Sequence, residues 1–343
     1  MITLDAGVLD GLAEPTVEAV RAALQQAVEL EHATIPVYLY GQFSLDKAAN
    51  PAIWQILHDV VVEEMLHMCL ACNVLNALGG APGIDAPDFV PRYPGPLPGG
   101  VDGGLSVHLR PFSLTQLETY LSIEEPEHPL DFAHDIPPVP SGHVTIGMFY
   151  TAILNAIETL GEAAFTGDPA RQVDGTVMWG SVVVTDVASA KAAIGLILEQ
   201  GEGTPASPLE ADGKTDAHFY RFKQIAEGYA LQSIPGVKGG PPQDDYAYTG
   251  EAIPFDPAGV RPVVCDPAQA GYTGAAQSAN DAFNASYTTL LRQLHTLFNG
   301  KPGADQLNAA IGTMTALEGQ ANALMAIPLG DGTVAGPSFE YAD

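Results

Sequence analysis

Apolar residues recur along the first forty positions as Leu24, Val28, Ile35 and Tyr38, which is the spacing of one helix face. The stripe has one polar member, Glu31. The next helical stretch repeats the arrangement: Ile53, Leu57, Val60, Ala71, Val74 and Leu78 share a face that is interrupted by Glu64 and His67. A carboxylate in an apolar stripe costs free energy unless it is neutral, paired or bound to a cation. The same periodicity predicts the remaining elements. A first helix spans about 15–45, with Pro15 in its first turn and Pro36 kinking it or opening a bulge. The second begins at Asn50-Pro51 and stops at Gly79-Gly80. A short amphipathic helix covers 115–125, and a third long helix 143–165. A fourth runs over 187–200 behind the N-cap Asp186, breaks at Gly201-Glu202-Gly203, and resumes over 215–228. Segments 278–299 and 303–326 form a helical hairpin. Residues 81–112 and 126–141 are Pro/Gly-rich connections, and 232–270 is loop with short strands. The fold class expected is all-α: a four-helix bundle over 1–230 with an insertion at 81–142, and a loop-rich extension over 231–343 whose hairpin packs on the bundle.

A di-metal site needs its donors at one height in such a bundle. Antiparallel helices turning at Lys47-Ala48 place Glu31 and Glu64 equally far from the turn, and His67 lies one turn from Glu64 on the same face. Glu63 is the rival on that helix. Glu64 is preferred because a Glu-x-x-His pair is the ligand unit of carboxylate-bridged metal bundles. The second helix pair is less regular. With a turn near Thr176, Glu202 is level with Tyr150 and close to Met148, neither a carboxylate. Glu158 then falls roughly 12 Å away at about 1.5 Å per residue, so Glu158 and Glu162 read as solvated. The fourth helix has no intact Glu-x-x-His, but a break followed by His218 restores the pair in space with Glu202. Glu124 or Glu127, from outside the bundle, would replace the missing third-helix carboxylate.

Charge narrows the partners. The 343 residues carry 41 Asp+Glu against 13 Lys+Arg, a formal net charge of −28. Such a chain is a poor ligand for nucleic acid or anionic membranes and suits a small-molecule substrate or cations; solubility alone is the plainer reading of the acidity. No apolar or basic leader opens the chain and no run of about 18 apolar residues occurs, so a cytoplasmic protein is expected. Three cysteines do not make a disulfide framework. Cys69 and Cys72 read as small packing residues inside a helix rather than a redox pair. His32 points away from Glu31 and reads as a supporting or packing residue. His58, His108 and His295 have no partner pattern. His128, His134 and His143, beside Glu127, are a weaker second cluster. Tyr38, Tyr40, Phe149 and Tyr150 read as core, with one of them a candidate to line an oxidant pocket. No Walker loop, GxSxG elbow or Rossmann fingerprint is present.

The segments LEHATIPVYLY, VVVEEMLHMCLACNVLNALGGAP, LSIEEPE, LEQGEGTP with HFYRF, and the closing VAGPSFEYAD resemble the ferritin-like family related to iminophenyl-pyruvate dimer synthases of bisindole biosynthesis. The resemblance covers most of 16–343. It implies a ferritin-like bundle with Glu31, Glu64, His67, Glu202 and His218, and also Glu124, around a metal centre. Met148 departs from the polar residue expected there. The biosynthetic enzymes are much longer chains.

The function expected is a metal-dependent oxidase or oxygenase acting on a small organic substrate, with a place in secondary metabolism. One or two iron ions suit the mixed carboxylate and imidazole donors, with manganese or zinc as alternatives. Metal storage or sequestration, or a metal-free binding bundle, are the competing classes. A homodimer is compatible with either.

Overall fold

A computed structural model describes residues 4–98, 106–126, 143–203, 207–210, 212–234 and 246–342. Its helices are α1 (Val17–Ser44), α2 (Pro51–Ala77), α3 (Leu114–Glu124), α4 (Ile146–Leu160), α5 (Val187–Glu202), α6 (His218–Glu227), α7 (Gly274–Asn299) and α8 (Ala304–Leu324). Four short strands accompany them: β1 (Leu4–Asp5) pairs antiparallel with β2 (His143–Val144), and β3 (Tyr229–Ser233) with β4 (Tyr246–Ala252). The all-α expectation holds.

Helices α1, α2, α5 and α4 pack in a closed ring, each touching the next, which makes the four-helix bundle. Local chemistry sets their ends. Thr16 caps α1 by accepting from the Ala19 N–H, so Pro15 precedes the helix instead of occupying its first turn. Asp186 and Ser189 close a capping box at the start of α5. That helix continues through Glu202 and stops at Gly203, whose φ of 75° only glycine adopts readily. The third long helix is shorter than expected, because Thr145 caps it and Gly161 ends it. Pro36 does not break α1. The Tyr93 hydroxyl donates 2.5 Å to the Ala33 carbonyl, beside the His32 carbonyl that the proline leaves without its helical donor.

The core is built mainly from α1 and α2. Leu24, Val28, Val37, Ile53, Leu57, Val60 and Val74 are fully buried, each worth about 1.5–3 kcal/mol over an exposed side chain. By length and composition α2 is apolar enough to cross a bilayer, which the sequence reading did not anticipate. However, 83% of its most apolar window is buried within the fold, as in a core helix. The α7–α8 hairpin lies against the outside of α1 and α2. It is fixed there by Asn76 donating to the Phe298 carbonyl (2.7 Å) and by the Tyr287 hydroxyl meeting His32 Nε2 (2.7 Å).

Two elements sit across the bundle and complete the interior. Helix α6 packs against α2, α5 and α3, while α3 packs on α6. The pair brings one histidine and one glutamate to the middle of the bundle from outside the four helices.

Candidate metal centre

Glu31 on α1 and Glu64 and His67 on α2 face one another across the helix pair, all buried. His67 Nδ1 is 3.6 Å from Glu31 Oε2 and 3.9 Å from Glu64 Oε1. His218, at the first position of α6, is completely buried. Its Nδ1 lies 2.9 Å from Glu64 Oε1 and 3.5 Å from Glu124 Oε2, yet it makes no hydrogen bond of good geometry. The rings of His67 and His218 are stacked 5.2 Å apart. Glu64 therefore stands between the two imidazoles, with Glu31 on one side and Glu124 on the other. The Thr34 hydroxyl donates 3.1 Å to its other oxygen.

Glu202, the last residue of α5, faces Gly147 of α4. A Cβ placed on Gly147 would come within 2.6 and 2.8 Å of the two Glu202 carboxylate oxygens, so the missing side chain is the space that Glu202 fills. The level residue on α4 is thus Gly147, three positions from the expected Tyr150 and next to Met148. A cavity of about 50 Å³ is lined by Glu31, Glu64, His67, Glu124 and Glu202, among others. All five line one space, and His218 borders it through Glu64 and Glu124.

Protonation shows the cost of this crowding. Burial, then the charges of Glu124 and Glu31 acting against His218, pushes the Glu64 carboxyl up to about 7. Burial opposes charge on His218, but the nearby carboxylates of Glu124, Glu63 and Glu64 outweigh it and hold its pKa well above the usual range. His67 is raised in the same way, with Glu31 and Glu64 overcoming burial. The crowding favours the protonated forms of Glu64, His67 and His218.

Glu63 is not part of this inner group. Its Oε2 lies 2.9 Å from His218 Nε2 and 2.6 Å from an Arg221 nitrogen. Its carboxyl is held at about 2: burial would raise it, but His218 and Arg221 overcome that. Two tyrosines read from the sequence as core packing are also polar partners. The Tyr150 hydroxyl donates to Glu31 and the Tyr38 hydroxyl to Glu124. Periodicity could not separate these roles, because a tyrosine packs its ring whether or not its hydroxyl is used. Arg221 and Gln200 were missed as well. A buried arginine three residues after His218 on an apolar helix face was a readable signal.

The other singled-out residues lie elsewhere. Glu158 is paired at the surface with Lys191 (3.8 Å), and Glu162 is exposed. Cys69 and Cys72 are buried thiols, with burial pushing Cys69 to about 12, as packing residues should be. His32 packs on Phe89 and pairs with Tyr287, and burial lowers it to about 3. His108, read as partnerless, pairs with Asp266 at 2.7 Å. Glu127, His128 and His134 lie outside the described residues, and His143 is in β2.

The donors fit a metal ion. Among the described residues Glu64, His67 and His218 offer donor atoms all within 4.8 Å of one another. The unsatisfied His218 Nδ1 points to the same space. Carboxylate with imidazole is a donor set for iron, manganese or zinc.

The comparisons agree with this architecture. No curated protein matches the chain. A ferritin-like protein from Caulobacter vibrioides has a similar solved structure, 26% identical, with a TM-score of 0.63 over 94% of this chain and 99% of that one. The profile of the ferritin-like family matches residues 24–227, more than half of the sequence. With its closed ring of four helices and its buried carboxylate and imidazole donors, the chain belongs to the ferritin-like family.

Proposed function

We propose that the protein is a metal-dependent oxidase or oxygenase of the ferritin-like family, using iron and acting on a small organic substrate. The observation that carries this reading is the gathering of the donors around one interior. Four carboxylates (Glu31, Glu64, Glu124 and Glu202) and two imidazoles (His67 and His218) share one interior. Carboxylates flank both imidazoles, so the interior offers more donors than a single ion needs. Glu31, Glu64, His67, Glu124 and His218 would hold the metal, and Glu202 would close the set from α5. When bound, iron supplies the redox chemistry that no amino-acid side chain here provides.

The remaining residues prepare that site. Tyr150 and Tyr38 hold Glu31 and Glu124 by hydrogen bonds and fix the carboxylates' orientation. Thr34 does the same for the outer oxygen of Glu64. Leu30, Ile123, Ile146 and Ile197 line the cavity and keep bulk water from the donors. The described part of the insertion between α2 and α4 gives the centre Glu124 and lines the cavity through Ile123 and Glu125. A storage protein has little use for an inserted helix at its centre, which favours catalysis over sequestration. The resemblance of several segments to the family of iminophenyl-pyruvate dimer synthases supports an oxidative role in secondary metabolism.

The test is metal content by mass spectrometry, with Glu64→Ala as control, followed by oxygen uptake of the iron(II)-loaded protein. Two iron per chain, lost in the variant, with oxygen consumption stimulated by an organic substrate, is the expected result. No bound metal after anaerobic reconstitution would sink the reading. Iron accumulation far beyond two per chain in a large shell would favour storage instead.

A further inference from the structure

The outer nitrogens of the two central histidines are joined by one continuous chain of hydrogen bonds. His67 Nε2 lies 3.1 Å from Gln200 Oε1, and Gln200 Nε2 donates 3.2 Å to Glu210 Oε2. The other oxygen of Glu210 is paired with Arg221, which also donates 2.6 Å to Glu63 Oε2. Glu63 Oε2 in turn lies 2.9 Å from His218 Nε2. Arg221 and Gln200 are both at least nine-tenths buried.

The direction of each bond is fixed by chemistry. The Glu210 carboxylate, already holding the Arg221 guanidinium, only accepts. Gln200 must therefore turn its NH₂ toward Glu210 and its carbonyl oxygen toward His67. That oxygen only accepts, so His67 Nε2 carries a hydrogen. Glu63 accepts from Arg221 and imposes the same on His218 Nε2. Both imidazoles are left with Nδ1 toward the carboxylates.

From this we propose that Glu63, Arg221, Glu210 and Gln200 form a positioning bracket that presents His67 and His218 to metal through Nδ1, with Arg221 as its central member. The inference rests on the metal-centre reading and adds residues that lie outside the donor set. Arg221 reaches the ions only through Glu63 and the Glu210–Gln200 pair, so its effect is on orientation. The two arms also differ. His218 has a carboxylate behind it, which strengthens an imidazole donor, and His67 has a neutral amide. The His218 position is the tighter of the two.

The test uses full-length protein loaded with zinc, a diamagnetic probe, with ¹⁵N-labelled histidine. Long-range ¹H–¹⁵N spectra report which ring nitrogen carries hydrogen, and competition with a chromophoric chelator reports affinity. The expected spectra show Nε2–H and metal-bound Nδ1 at His67 and His218. Gln200→Leu lowers the weaker zinc step by about 10–100-fold and perturbs His67 without His218. Arg221→Met weakens both steps, and Arg221→Lys recovers part of the loss. Should Arg221→Met fail to fold, Gln200→Leu still decides, since it leaves the Arg221 ion pairs in place. Coordination through Nε2 at either histidine, or unchanged affinity in Gln200→Leu, overturns the bracket while leaving the metal centre standing. A wild-type protein that binds no zinc, iron or manganese overturns both.

Discussion

At the residue scale the centre depends on an absence. Gly147 lies in the first turn of α4, and its lack of a Cβ leaves room for the Glu202 carboxylate. The contacting atoms are the far end of a flexible side chain, so an alanine there would displace Glu202 without disturbing backbone. Alanine is also the better helix former by up to about 1 kcal/mol. Gly147→Ala is therefore expected to leave the metal-free protein as stable as before, or slightly more so, while metal affinity falls by roughly 10–100-fold. Thermal melts and chelator competition check the two halves separately, and a variant of unchanged affinity would remove Glu202 from the donor set. Tyr150 makes a complementary case. Tyr150→Phe keeps the ring packed but withdraws the donor from Glu31, and a hydrogen bond to a charged group is worth about 1.5–3 kcal/mol. Urea denaturation of the metal-free variant should show a loss of that order, with little change of m-value.

At the element scale the question is how a bundle helix without a glutamate at the level of the site is compensated. Helix α3 supplies Glu124 instead, and α3 is seated by a close approach to α1. The Tyr120 hydroxyl contacts the Val37 carbonyl at 3.2 Å and occupies the space where a side chain on Gly41 would be. Tyr120 is fully buried and cannot swing away. Gly41→Ala should cost about 1–3 kcal/mol by overpacking and carry Glu124 away from His218, which equilibrium denaturation and metal titration would reveal together. The same elements mark what could be read from sequence. Glu31, Glu64 and His67 were legible because α1 and α2 are consecutive, regular and joined by a short turn, so that register follows from counting. Glu202 was legible as a polar residue at the right height. His218 could be read only from the break that precedes it and Glu124 only as an alternative to Glu127, because their placement depends on α6 and α3 crossing the bundle, and no periodicity encodes a crossing. Arg221, Gln200 and the two tyrosine hydroxyls became visible only with tertiary contacts, since each acts on a residue far away in sequence.

At the scale of the whole molecule a net charge of −28 surrounds an interior that itself concentrates carboxylates. Protons and metal ions compete for that interior, and the linkage signs can be worked out. The folded pKa of Glu64 is raised from 4.5 to about 7, so its contribution to stability is complete below 4.5 and disappears as pH rises through 7. His67 and His218 are also raised, so their contributions are lost above 6.5 in the same direction. Glu63 is the opposite case: lowered to about 2, it stabilises above 4.5 and loses that contribution as pH falls toward 2. The metal-free protein should thus be most stable near pH 4.5 and weaken toward neutrality, with Glu64 alone contributing on the order of a few kcal/mol. Metal binding reverses the slope, because the donors must release protons to coordinate. Melting temperature measured from pH 4.5 to 7.5 should fall in the metal-free protein and rise in the iron(II)-loaded protein kept anaerobic. In the metal-free protein, Glu64→Gln should flatten the fall, since the amide cannot titrate. If both forms weaken in parallel with rising pH, the self-repulsion of the acidic surface governs the profile and the buried carboxylates do not.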